Sequence, residues 1–96
     1  MEATITELCD YDQAGPCDIC HERDAYNSLQ VTPGWLEQYA STLREHGLGN
    51  LLLTERVPHS SLPGVAPYIT FSLCTHDRER LLALGLVEKV YEADCT

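Results

Sequence analysis

Residues 17–21 read Cys17-Asp18-Ile19-Cys20-His21, and a second cluster, Cys74-Thr75-His76-Asp77, follows more than fifty residues later. Whether the two belong together decides how a chain of 96 residues is held in shape. Two cysteines separated by two residues let both sulfurs reach one ion from a tight turn, at metal–sulfur distances of about 2.3 Å. A helix N-terminus presents residues i and i+3 side by side, which brings Cys74 and Asp77 to one point. The spacing therefore predicts one shared site built from Cys17, Cys20 and Cys74, with Asp77 as the fourth ligand. His76 offers a better donor atom at i+2, and His21 beside Cys20 is a further alternative for that fourth position. The competing reading makes the cysteines buried free thiols, since free Cys is among the most buried residue types.

Outward from residue 17, the chain breaks at Gly15-Pro16, so residues 1–16 read as an acidic N-terminal arm or short strand around Ile5 and Leu8. Beyond the first cluster, Asn27 to Thr32 ("NSLQVT") alternates Leu29 and Val31 with polar neighbours, as a half-buried strand does. Thr32 and Pro33 then fit the N-cap and first helical position. From Trp35 to His46, the residues Trp35, Leu36, Tyr39, Ala40 and Leu43 make one apolar stripe, with Glu37, Ser41, Arg44 and Glu45 outside, and Gly47 suits the left-handed C′ position. "NLLLTERV" (50–57) reads as a strand, and 58–67, with three prolines and a glycine, as an exposed loop. "YITFSLC" (68–74) is rich in β-branched and aromatic residues and reads as a strand. Thr75 is placed to cap a helix that turns Leu81, Leu82 and Leu84 inward and stops at Gly85, and "LVEKVYEA" (86–93) reads as a last strand. No repeat or linker divides the chain, so residues 1–96 are expected to form a single α+β domain.

Composition narrows the function classes. A chain that is 44% hydrophobic and 22% charged is globular, and no apolar run approaches the roughly 20 residues of a membrane span. The N-terminal stretch has neither a basic n-region nor an apolar h-region, which predicts a cytoplasmic protein, or a virion component if the source is viral. In a reducing compartment, five cysteines favour metal binding over disulfides. Cys9 and Cys95 match no ligand spacing and are expected to be ordinary thiols packed together, with a disulfide between them as the lesser alternative. The net charge of −9 is concentrated early: residues 1–24 hold seven acids against Arg23 alone. Such a surface repels phosphates, which argues against direct nucleic-acid binding.

In order and element type, "CDIC", the strand "NSLQV" and the later "FSLCTHDRERL" resemble the treble-clef zinc finger, including its HNH endonuclease branch. The resemblance covers about half the chain, with 33–67 as an insertion. It implies Zn2+ as cofactor and a zinc knuckle followed by a short antiparallel sheet and two helices. HNH enzymes carry a His pair just after the first strand, where this chain has Val31-Thr32-Pro33. That departure argues against nuclease chemistry, and neither a P-loop, G-x-S-x-G nor H-E-x-x-H motif supplies another activity. "AGPCDICHERDAYN" also reads as a turn rather than a thioredoxin-like strand-to-helix redox site.

The expected function is a non-enzymatic, zinc-stabilised protein–protein interaction or assembly module, such as a viral or mobile-element accessory protein. Trp35, Tyr39, Leu62 and Tyr68 are the expected contact residues, facing a protein partner or a second copy. Two alternatives belong to other classes: an acidic mimic of nucleic acid that occupies a DNA-binding protein, and a residual HNH-type nuclease.

Overall fold

Alternation produces the strands it predicts. The computed structural model describes residues 3–9, 15–53 and 67–92. Its four strands, β1 (Ala3–Glu7), β2 (Asn27–Val31), β3 (Ile69–Leu73) and β4 (Lys89–Tyr91), form one sheet in the order β3-β2-β1-β4. Strand β2 runs antiparallel to both β1 and β3, and β4 pairs parallel with β1. The register aligns Ala3 with Val31 and Ile69, and Ile5 with Leu29 and Phe71, so one face of the sheet is a continuous apolar surface. Thr4, Gln30 and Thr70, with Thr6, Ser28 and Ser72, take the alternate positions on the opposite face.

Four short helices complete an α+β domain: α1 (Pro33–Gln38), α2 (Ala40–Glu45), α3 (Asn50–Leu53) and α4 (Thr75–Ala83). Thr32 caps α1 as expected, its hydroxyl accepting from the Trp35 amide at 3.2 Å, with Pro33 in the first turn. The stripe from Trp35 to Leu43 faces inward, but a one-residue break at Tyr39 divides the expected single helix into α1 and α2. Gly47 ends α2 at φ 73°, and the Leu48 amide reaches back to the Leu43 carbonyl at 2.8 Å, a Schellman closure that buries Leu48.

Several expectations are corrected. Of the two readings of the N-terminal stretch, arm or short strand, residues 3–7 take the strand, in the interior of the sheet and paired on both sides, because Ala3 and Ile5 carry its apolar face into the core. The sheet is mixed rather than antiparallel. Strands β3 and β4 are joined through α4, and a helix crossover returns the chain in the same direction. Residues 50–53 form α3 instead of a strand; the turn at Gly47–Gly49 redirects the chain so that Leu51 is buried while Leu53 stays 77% exposed. Residues 54–66, which include the rest of that expected strand, most of the Pro-rich loop and Leu62, lie outside the described residues.

The core gathers between the apolar sheet face and the helices, around Trp35, Leu43, Leu48, Leu51, Phe71 and Leu81. Burying a Leu or Phe side chain contributes about 1.5–3 kcal/mol. The Trp35 indole also donates to the Leu86 carbonyl at 2.9 Å. That bond joins the start of α1 to the segment leading into β4. Trp35, expected at a partner contact, is therefore a core residue with 1% of its surface exposed. Among the described residues, no helix is long and apolar enough to cross a membrane.

Candidate metal centre

Residues 15–25 fold back on themselves. Pro16 bridges Asp24, the Cys17 amide donates to the Arg23 carbonyl at 2.8 Å, and the Ala25 amide donates to the Gly15 carbonyl at 2.8 Å. The tip turns sharply enough that His21 adopts φ 58°, and its amide closes onto the Cys17 carbonyl at 3.0 Å. This bend puts Cys17 and Cys20 on one side and leaves His21 exposed.

The bend is fastened to the rest of the fold by its own side chains. Asp18 acts like an added strand residue against β3: its amide donates to the Ser72 carbonyl at 2.8 Å, and its Oδ2 accepts from the Ser72 amide at 2.6 Å. Ile19 is buried in the core, and its carbonyl accepts from the Asn50 amide group at the start of α3. The sheet and α3 thus position the two sulfurs before any ion is considered.

The second pair comes from the junction of β3 and α4. Cys74, rather than the expected Thr75, is the N-cap of α4, with its sulfur accepting from the Asp77 amide at 3.4 Å. The spacing of a cap and its third following residue brings Asp77 beside Cys74, as the sequence predicts. Cys17, Cys20, Cys74 and Asp77 each offer one ligand atom, and these atoms all lie within 4.8 Å of one another. The group can hold a metal ion. The two histidine alternatives do not join it: both His76 and His21 are exposed.

Within the cluster, the Cys17 and Cys74 thiols donate to Asp77 Oδ2 at 3.2 and 3.3 Å, and the Cys20 and Cys74 sulfurs lie 4.0 Å apart. Burial pushes the Cys74 thiol up to about 12 and raises that of Cys17, so both are protonated without an ion. Cys20, half-buried at the rim, sits below the usual thiol range because the backbone amides of Glu22 and Arg23 favour its charged form. Burial also works against charge on Asp77, yet the two thiols and the Arg80 guanidinium outweigh it and hold the carboxyl below its ordinary value. A cation displacing the two thiol protons would convert the same donors into ligands.

Sequence reading missed the residues that hold the ligands. Arg80 donates to Asp77 Oδ1 at 3.0 Å, leaving Oδ2 turned toward the sulfurs, and also reaches the His46 carbonyl at the end of α2. Its signal was present, since Asp77 and Arg80 stand at i and i+3 on one helix. Asp18 and Asn50 had no local signal, because their partners lie 54 and 31 residues away. A Cβ at Gly47 would meet Arg80 Nη2 at 2.9 Å, so this glycine serves both its left-handed turn and the approach of the arginine.

Arg78, on another side of α4, pairs with Glu7 of β1 and donates to Asn27 Oδ1 of β2 at 3.3 Å, fixing the helix over the sheet. Of the expected contact residues, Tyr39 and Tyr68 are half-buried. Cys9, expected as an ordinary thiol, is disulfide-bonded, whereas Cys17, Cys20 and Cys74 are free; Cys95 lies outside the described residues. No protein-family model matches the chain, and no curated protein or solved structure matches it.

Proposed function

We propose that this chain is a treble-clef-type zinc module in which the ion is a structural staple and the protein works by binding another protein or a second copy of itself. The observation that carries the reading is the closed donor set: three cysteines and one carboxylate within 4.8 Å, three of the four residues buried. A tetrahedral zinc ion with bonds of about 2.3 Å to sulfur and 2.0 Å to oxygen separates two sulfurs by about 3.8 Å and a sulfur from an oxygen by about 3.5 Å. The corresponding separations here are 4.0 Å between Cys20 and Cys74, and 3.2 and 3.3 Å from Cys17 and Cys74 to Asp77 Oδ2. Thiolates favour zinc over calcium or magnesium, which take oxygen ligands. Four protein ligands leave no coordination position for substrate or water, the arrangement of structural rather than catalytic zinc.

The arrangement also supports the treble-clef reading. A knuckle is followed by the antiparallel neighbours β2 and β3, with the α1–α3 segment between them, and then by a helix whose first turn supplies the second ligand pair. Glu7, Asp18 and Asp77 are engaged by Arg78, Ser72 and Arg80, which removes them from any row of carboxylates imitating a phosphate backbone. With Trp35 in the core, Leu53 joins Tyr39 and Tyr68 as a candidate contact residue.

Elemental analysis of the purified chain tests the staple, with about one zinc per chain expected and cooperative melting lost on chelation. Light scattering and pull-down at raised salt test the interaction. Assembly that persists in salt and disappears in Leu53→Asp, with zinc content unchanged, supports an apolar interface. Metal-free protein with an unchanged melting curve overturns the staple, and divalent-dependent DNA cutting overturns the non-enzymatic reading.

A further inference from the structure

The four donors are not equally sheltered. Cys17 and Cys74 are buried, with 0% and 2% of their surface exposed, while Cys20 is half-buried on the exposed side of the knuckle. A cleft of about 360 Å³ lies between the knuckle and the start of α4, lined by Glu22, Arg23 and Asp24 on one side and by Cys74, Thr75 and His76 on the other. The cleft thus borders Cys74, Cys20 is itself partly exposed, and the two sulfurs are 4.0 Å apart. Cys17 belongs to the same cluster but is the more deeply buried, with 0% of its surface exposed, and its sulfur contacts Asp77 Oδ2 and the Ile19 amide. A second observation concerns the chemistry of the whole chain: Cys9 is disulfide-bonded, while the three cluster cysteines are free thiols.

We propose that Cys20 and Cys74 are a peroxide-sensitive pair whose disulfide replaces the metal, so that the ion guards the thiols and oxidation expels the ion. The inference rests on the metal reading above. In the first step Cys20 Sγ attacks a hydroperoxide; the O–O bond breaks, sulfur gains one oxygen as a sulfenic acid, and the peroxide leaves as water or alcohol. In the second, Cys74 Sγ attacks the Cys20 sulfur and expels the oxygen as water, forming the S–S bond. Two electrons pass from the two sulfurs to the peroxide; where the metal holds the sulfurs as thiolates, the two protons that complete the leaving water or alcohol and the second water come from solvent. The sulfurs must close from 4.0 Å to the roughly 2.05 Å of a disulfide. That movement withdraws two of the four ligands, and Cys17 with Asp77 is left as a two-donor site.

The test uses the full chain loaded with zinc, whose metal content is measured first. Hydrogen peroxide is then added while a chromophoric chelator records zinc release, and disulfides are mapped by peptide mass spectrometry without reduction. The expected result is release of the bound zinc in step with the loss of two of the three free thiols, a mapped Cys20–Cys74 link, and recovery of zinc binding after dithiothreitol. A Cys17–Cys20 link, release accompanied only by sulfinic or sulfonic acids, or full retention of zinc at peroxide levels that oxidise free cysteine overturns the proposal. Absence of zinc at the outset would instead count against the metal reading. The same mapping on metal-free protein then still decides whether Cys20 and Cys74 join.

Discussion

The knuckle that carries Cys17 and Cys20 and the segment from Trp35 to Leu51 are held to the same sheet by different physics. The segment contributes Trp35, Leu43, Leu48 and Leu51 to the core and is retained by apolar burial, with Thr32 and Gly47 setting its ends. The knuckle, residues 15–25, contributes little apolar volume beyond Ile19 and Ala25, and is retained by directional contacts through Asp18, Asn50 and the four-donor cluster. Apolar burial tolerates small shifts in geometry, whereas a ligand cluster is lost when one donor goes. On the proposed reading, stability near residue 17 should respond to metal, pH and oxidant, while stability near residue 35 should respond to packing alone.

Chelation should break the comparison most strongly. Structural zinc contributes an apparent 10–16 kcal/mol in small domains, so its removal, or Cys17→Ser, is expected to abolish cooperative unfolding in calorimetry. A chelated protein with its native melting curve would mean that packing alone carries the fold. Trp35→Ala should cost about 3–5 kcal/mol in denaturant titration, the usual penalty for emptying a large aromatic site, while zinc content stays the same. Loss of zinc in that variant would show that the two regions are coupled more tightly than their contacts indicate.

Arg80→Ala probes the boundary between them. Removing a group that orients a ligand typically weakens metal binding 10- to 100-fold, readable by competition with a chromophoric chelator. The pH response of the chelated protein follows from the buried thiols. Cys74 is raised from 9.0 to about 12, and Cys17 is raised too, so their contribution is fully present below pH 9 and lost as the pH rises toward 12. The folded fraction that the chelated protein retains, read by circular dichroism, should accordingly fall over that interval. Bound metal, which holds the sulfurs deprotonated, should flatten the fall. Asp77, shifted the other way from 3.8, adds stability that is present above that pH and lost as it falls.

The smallest expected effect concerns His21, whose left-handed backbone costs a non-glycine residue roughly 1–2 kcal/mol. His21→Gly should leave zinc content unchanged and stabilise the protein by about 1 kcal/mol or less, after the greater chain entropy of glycine is set against that relief. A loss of zinc in this variant would make His21 a ligand after all.

The legible parts of this molecule were those in which chemistry or local geometry limits the choices. Three cysteines and Asp77 at ligand spacing, the Thr32–Pro33 cap, the left-handed Gly47, the helix stop at Gly85, the alternation in β2 and the β-branched and aromatic run of β3 all appear in the structure as read. The leucine run 51–53 was misread because a short apolar stretch fits strand and helix equally, and the decision came from the turn before it. The sequence favours Thr75 as a cap by residue type, but Cys74 takes that role because its sulfur already faces the helix amides. The parallel pairing of β4 with β1 was also hidden, since alternation identifies a strand without naming its neighbour. Trp35 could be placed on a helix stripe, but only the Leu86 carbonyl, 51 residues away, explains why its indole is inside.

The placement of β4 has a consequence for the order of assembly. Residues 89–91 pair with residues 4–6, so the sheet stays incomplete until nearly all of the described chain has left the ribosome. The four metal donors, by contrast, lie between residues 17 and 77. Gathering these donors therefore does not require β4, and a refolding chain that meets an ion would have an anchored corner before its last edge is closed.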